Sequence, residues 1–123
     1  MTDDRILLHG LEFFGYHGVL PEENRLGQRF VVDVELAFDT RAAGRTDDLT
    51  KTVDYGALFT DVRAIVEGPA AKLVETVAER IASRILDVYG AESVRVRVRK
   101  PDVPIPGTLE FVGVEIVRRK AGV

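Results

Sequence analysis

Hydrophobic and polar residues alternate most regularly at two places in the chain. Phe30, Val32, Val34, Leu36 and Phe38 fall on one parity, while Asp33, Glu35 and Asp39 fall on the other. This is the period-two pattern of a strand with one covered face. Val94, Val96 and Val98 alternate with Arg95, Arg97 and Arg99 in the same way. Residues Ile6 to Phe14 also read as a strand, with apolar residues on both parities, as when both faces are covered. A last strand runs from about Leu109 to Val117. Between the last two lies Pro101 to Gly107, whose three prolines cannot donate to a ladder, so this segment leaves the sheet.

Helical spacing takes over in the middle. Asp54 suits an N-cap, and Tyr55, Leu58, Phe59, Val62, Ile65 and Val66 follow it at helical intervals up to Gly68-Pro69. A second stripe runs through Leu73, Val77, Ile81, Ile85 and Val88, with Gly90 as its stop. Thr40 to Thr52 reads as a polar linker. Gly15 to Gly27 is too long for a tight hairpin, and long ordered loops in compact domains are often functional. The order strand, strand, helix, helix, strand, strand predicts an α+β fold: a four-stranded antiparallel sheet with two helices on one face. Asp33 and Glu35 would then share the other face with Arg95, Arg97 and Arg99 and pair across strands.

Composition narrows the function. A length of 123 residues predicts a single domain spanning 1–123, and 46% hydrophobic residues argue against disorder. The absence of cysteine removes disulfides and thiolate metal sites and fits a reducing compartment. Met1-Thr2-Asp3-Asp4 lacks the basic start of a signal peptide, and no apolar run reaches the roughly 20 residues that span a bilayer. The expectation is a cytoplasmic protein with no membrane partner. With 17 basic and 20 acidic residues the net charge is −3, which disfavours nucleic acid as a partner. His9 and His17 stand apart and make a poor transition-metal site, so no metal is expected; His17, between two glycines, reads as a turn residue. No phosphate loop or nucleophile elbow occurs.

The informative feature is a set of segments in a fixed order. Gly15-Tyr16-His17-Gly18 precedes Glu22-Glu23 and Gly27-Gln28-Arg29-Phe30-Val31-Val32-Asp33. Asp47-Asp48-Leu49 and Thr52-Val53-Asp54-Tyr55-Gly56 come next. Leu73-Val74-Glu75-Thr76, Ala78-Glu79-Arg80-Ile81-Ala82, Lys100-Pro101 and Pro104-Ile105-Pro106 complete the set. From about Ile6 to Arg118 the chain resembles the dihydroneopterin aldolase family. The resemblance implies the tunnelling fold, in which subunits join their sheets into a barrel, and a homo-octamer of two stacked tetrameric rings. It implies a pterin substrate and no cofactor.

Carried over by position, the resemblance gives Lys100 the proton transfer and Glu23 the contact with the substrate's glycerol side chain. Tyr55 becomes the tyrosine contributed at the subunit boundary. Glu75 becomes the carboxylate on the pterin's amidine edge, with the backbone at Val74 and Val53 binding the ring. Asp54 stands where histidine or asparagine also occurs in the family. These residue types suit the chemistry. Adjacent N–H donors on a 2-amino-4-oxopterin match one carboxylate, and a first-turn glutamate lies where the helix dipole favours an anion. The C6=N5 imine of dihydroneopterin can accept the electrons of the breaking bond, leaving a lysine to move protons through bound water.

Two other functions compete. An epimerase acting at C2′ of dihydroneopterin or its triphosphate could use the same site, because re-addition to the other aldehyde face inverts that carbon. The acidic segment Leu20-Pro21-Glu22-Glu23-Asn24 favours the uncharged substrate. A non-enzymatic oligomeric pterin binder would need neither Glu23 nor Lys100.

Overall fold

The alternation in the sequence becomes an antiparallel meander. The computed structural model describes residues 1–121. Strands β1 (Arg5–Gly15), β2 (Gln28–Ala37), β3 (Ser93–Lys100) and β4 (Val112–Arg119) lie in the order β1-β2-β3-β4. A short helix α1 (Pro21–Leu26) joins β1 to β2. The segment after β2 folds into α2 (Arg41–Thr46) and a 3₁₀ turn (Leu49–Lys51), where the sequence suggested only a polar linker. Helices α3 (Tyr55–Val66) and α4 (Val74–Val88) form a hairpin between β2 and β3.

The apparent double parity of β1 has a local cause. Leu8 pairs with Val34 but Leu11 pairs with Val32, so one extra residue bulges between them. Gly10 takes a positive φ of 73° there, which a β-branched or bulky residue adopts only with strain. Its N–H donates to the Asp33 carboxylate at 2.7 Å. The bulge resets the alternation, so Ile6 and Leu8 before it and Leu11 and Phe13 after it all pack against the core. One face of β1 is covered, not two; Leu7 and Phe14 lie exposed on the other.

Phe30, Val32, Val34 and Leu36 from β2, with Val94, Val96 and Val98 from β3, are buried beneath the helices. α3 contributes Leu58, Val62 and Val66; α4 contributes Val77, Ala78, Ile81, Ala82 and Ile85. Burying each large aliphatic side chain is worth about 1.5–3 kcal/mol. Tyr55 and Phe59 share the apolar spacing of α3 yet remain exposed. On the opposite face of the sheet, Arg99 pairs with Asp33 at 2.9 Å and Arg97 with Glu115 at 2.8 Å. Arg95 lies opposite Glu35 in register, but Glu35 bonds His9 instead, at 2.9 Å.

β4 begins at Val112 rather than near Leu109. Pro101 ends the β3 ladder, so Lys100↔Val112 is the last rung and Leu109 to Phe111 have no strand beside them. Among the described residues, β1 and β4 each have a neighbouring strand on one side only. Among the described residues, no helix is long and apolar enough to cross a membrane.

Candidate active site

The loop that leaves β1 turns on Gly18 and enters α1. Pro21 opens that helix, where its missing N–H costs nothing, and Glu23 sits three residues after the N-cap Leu20. Glu23 Oε1 accepts from the Leu20 N–H at 3.2 Å. Its Oε2 accepts from Lys100 Nζ at 2.7 Å and from Gln28 Nε2 at 2.7 Å. Lys100 is the last residue of β3 and Gln28 the first of β2, so the sheet delivers both to the helix. The lysine side chain is 13% exposed and the glutamate 9%. Burial pushes the Glu23 carboxyl up, but the hydrogen bonds from Lys100, Gln28 and Leu20 outweigh it and hold the group below its usual range.

Gly18 makes room for this arrangement. A Cβ there would lie 2.4–2.6 Å from the Glu23 carboxylate atoms, so any side chain would displace the acid. Gln28 is buried, and among the described residues its Oε1 has no partner, leaving an acceptor free on the amide that holds Glu23.

His17 is not the turn residue that its glycine neighbours suggest. It is fully buried, with its ring edge-on to Phe30 at 5.2 Å. Nε2 donates to the Val66 carbonyl at 2.7 Å, while Nδ1 accepts from the Ala71 N–H at 3.0 Å. Gly18 N–H adds a bond to the Ala71 carbonyl at 2.9 Å. The segment before α4 is thereby fastened to the loop that carries Glu23.

α4 begins three residues after Ala71. Its N-cap is Leu73, which has no side-chain oxygen to cap the first N–H groups. Glu75 lies exposed in the first turn, and half-buried Val74 packs on the core. Glu23, Lys100, Val74 and Glu75 are therefore at one end of the molecule. Val53 and Tyr55 are at the other. α3 has 12 residues, about 18 Å at 1.5 Å per residue, and its Val66 end is the one tied to His17. Val53 is buried in the core, and Tyr55 is 72% exposed. Asp54 caps α3 as its position suggested, accepting from Gly56 and Ala57 N–H.

Sequence reasoning missed Gln28 and Gly18 as neighbours of Glu23, and it missed the burial of His17. The visible signals were the paired glycines around His17 and the amide directly after Gly27. It also read the acidic segment 20–24 as a loop, although proline followed by two glutamates is a helix-start signature.

A four-stranded sheet covered by helices, with a largely shielded acid–lysine pair at its end, makes an α+β domain whose candidate site could move protons. The family profile described as FolB, dihydroneopterin aldolase, matches residues 6–117. The dihydroneopterin aldolase of Bacillus subtilis (strain 168) is 49% identical over 119 residues, covering 96% of this chain and 99% of that protein. The solved dihydroneopterin aldolase of E. coli, in complex with neopterin, has a TM-score of 0.86 at 32% identity, covering 94% of this chain and 98% of that one. A dihydroneopterin aldolase from Burkholderia thailendensis, bound to guanine, has a TM-score of 0.76 at 29% identity, covering 95% of this chain and 91% of that one. The chain belongs to the dihydroneopterin aldolase family.

Proposed function

We infer that this protein cleaves 7,8-dihydroneopterin by a retro-aldol reaction, giving 6-hydroxymethyl-7,8-dihydropterin and glycolaldehyde for folate biosynthesis. Residues 1–123 act as one domain in this reading. The observation that carries it is the Glu23–Lys100 pair, 2.7 Å apart and largely shielded, at the same end as the Glu75 turn of α4. The guanine held by the Burkholderia relative has the same amino–oxo edge as a pterin. Glu75 accepts two N–H donors from that edge, and the Val74 backbone supports the ring.

The side chain then extends toward Glu23 and Lys100. Its hydroxyls bond Glu23, and Lys100 moves protons through bound water. The 2′-hydroxyl loses a proton as the C1′–C2′ bond breaks. The bonding pair passes into the conjugated C6=N5 imine, and glycolaldehyde leaves. C1′ then gains a proton in place of the broken bond, equivalent to the one taken from the 2′-hydroxyl, so the enzyme ends with the protons it began with. Re-addition to the other aldehyde face would epimerise C2′ as a side reaction. A dedicated triphosphate epimerase is the weaker reading, because the named relatives are aldolases and α1 presents Glu22 and Glu23 in its first turn.

Tyr55 and the Val53 backbone complete the site from a second subunit, because α3 carries them away from their own chain's Glu23. The two open sheet edges fit subunits joined edge to edge in a barrel, in an octamer of two tetrameric rings. The reading places the enzyme in the cytoplasm. Incubation with 7,8-dihydroneopterin in the presence of a chelator should release glycolaldehyde and hydroxymethyldihydropterin in equal amounts. Activity lost in the chelator and restored by zinc would overturn the mechanism.

A further inference from the structure

The polar contacts around Glu23 do not stop at Gln28. Gln28 Nε2 also reaches the His17 carbonyl at 3.4 Å, and Asn24 Nδ2 bonds the carbonyls of Tyr16 and Gly18 at 3.0 Å each. Through His17 this network continues to Val66 and Ala71, and Ala71 lies three residues before the first turn of α4. We propose that His17 is a positioning residue whose neutral ring, bonded at both nitrogens, sets the spacing between the Glu23–Lys100 pair and the start of α4. The substrate's side chain and its ring are thereby held in register. This rests on the reading that Glu23 and Lys100 meet the side chain while Glu75 holds the ring.

Only one tautomer satisfies both neighbours. Val66 offers a carbonyl and needs a donor; Ala71 offers an N–H and needs an acceptor. A proton on Nδ1 would set two N–H groups face to face and bury a charge. The charged groups around the ring oppose that charge: Arg80 from α4 and Lys100 from β3 are both cationic. Glu23 of α1 is the nearest acid along the network and is already committed to Lys100 and Gln28, while Glu67 after α3 is turned to Arg63. Burial pushes the His17 pKa below its ordinary 6.5, the Val66 carbonyl draws it partly back, and Arg80 and Lys100 push it down again. A depressed histidine leaves the clamp fully formed above pH 6.5 and loses it as pH falls through the folded value.

Asn at position 17 keeps an acceptor near Nδ1, and Gln keeps a donor near Nε2, so each preserves one half of the clamp. Both variants should be assayed as the intact oligomer, with His9→Gln as the control. A misplacement of about 1 Å can cost on the order of 10²-fold in rate. His17→Asn and His17→Gln should therefore lower kcat steeply while neopterin affinity changes little, because Glu75 is untouched. Both should also lose the acid limb that His17 imposes on the wild-type kcat profile. Unchanged kcat in a folded variant overturns the proposal. Equal loss of affinity and turnover also overturns it, since that is general structural damage.

If neither variant folds, nitrogen NMR of the wild type decides. His17 should keep the Nε2–H form as pH falls just below 6.5, and a His17 that protonates there without loss of activity ends the idea. A wild-type chain that binds neopterin but cleaves nothing would sink the aldolase reading instead. The clamp would then be judged by whether the two variants shift the mutual register of the loop and α4 amides.

Discussion

Where α3 ends and α4 begins, one chain supplies almost every partner its buried polar groups need. Glu23 is held by a lysine, an amide and a backbone N–H, and His17 is bonded at both ring nitrogens. Where α3 begins, the chain offers a capped helix start and a tyrosine standing in solvent. The first end has its side chains held by these bonds, which is the condition for orienting a reacting group without rearrangement. The second has a side chain with nothing to act on. A hairpin of two antiparallel helices forces this asymmetry, because it sends the start of one helix and the start of the next to opposite ends.

Lys100→Ala tests the self-sufficient end most severely. Positioned proton transfer typically contributes about 10²–10⁴-fold in rate, so kcat should fall by that order while neopterin affinity stays near wild type. Removing one member of a shielded ion pair also strands the other, so thermal stability should fall as well. A variant that binds neopterin poorly but turns over normally at saturation would reverse the roles given to Lys100 and Glu75.

Mixing tests the division between the ends directly. On the proposed shared site, a Tyr55 variant and a Glu75 variant damage opposite halves, so refolding equal amounts together should rebuild some intact sites. Random assembly predicts about a quarter of the wild-type number, because each half must come independently from an undamaged chain. Mixed oligomers, verified by mass, that stay as inactive as their parents would show that both residues serve one subunit's own pocket.

Glu75→Ala should act on affinity more than on rate. Each lost hydrogen bond to a charged group costs about 1.5–3 kcal/mol, which titration with neopterin can measure. An unchanged dissociation constant would remove Glu75 as the ring anchor.

How much of this was legible in the sequence differs between fold and site. Strict alternation in Phe30 to Leu36 and Val94 to Val98 fixed both central strands, because a buried face leaves no other register. β1 was harder, since the Gly10 bulge exchanges its faces halfway and composition alone does not mark where. The short helices α1 and α2 hid in polar sequence because they bury none of their residues and so carry no apolar stripe. Glu23 and Lys100 were visible only through the family resemblance. Their contact spans 77 positions of chain, which no local spacing encodes. Gln28 and His17 escaped for a related reason: each works through contacts with backbone or side chains supplied by other elements.

The charged face of the sheet should give the smallest effect, and it sharpens what is special about the end of β3. Arg97 and Lys100 lie three positions apart on that strand, and both meet a glutamate at hydrogen-bond distance. Arg97 and Glu115 are well exposed, so water and salt screen them, whereas Lys100 and Glu23 are shielded. Exposed pairs are worth about 0.2–1 kcal/mol. Arg97→Ala should therefore move the denaturation midpoint only slightly, with less effect at high salt, and leave kcat unaltered. The Asp33 carboxylate opposite Arg97 is not left alone by the change, because Arg99 and the Gly10 N–H already bond it. A large loss of activity in Arg97→Ala would mean that the charged face takes part in the reaction. The proposed separation between a reacting strand end and a merely solvated strand face would then have to be abandoned.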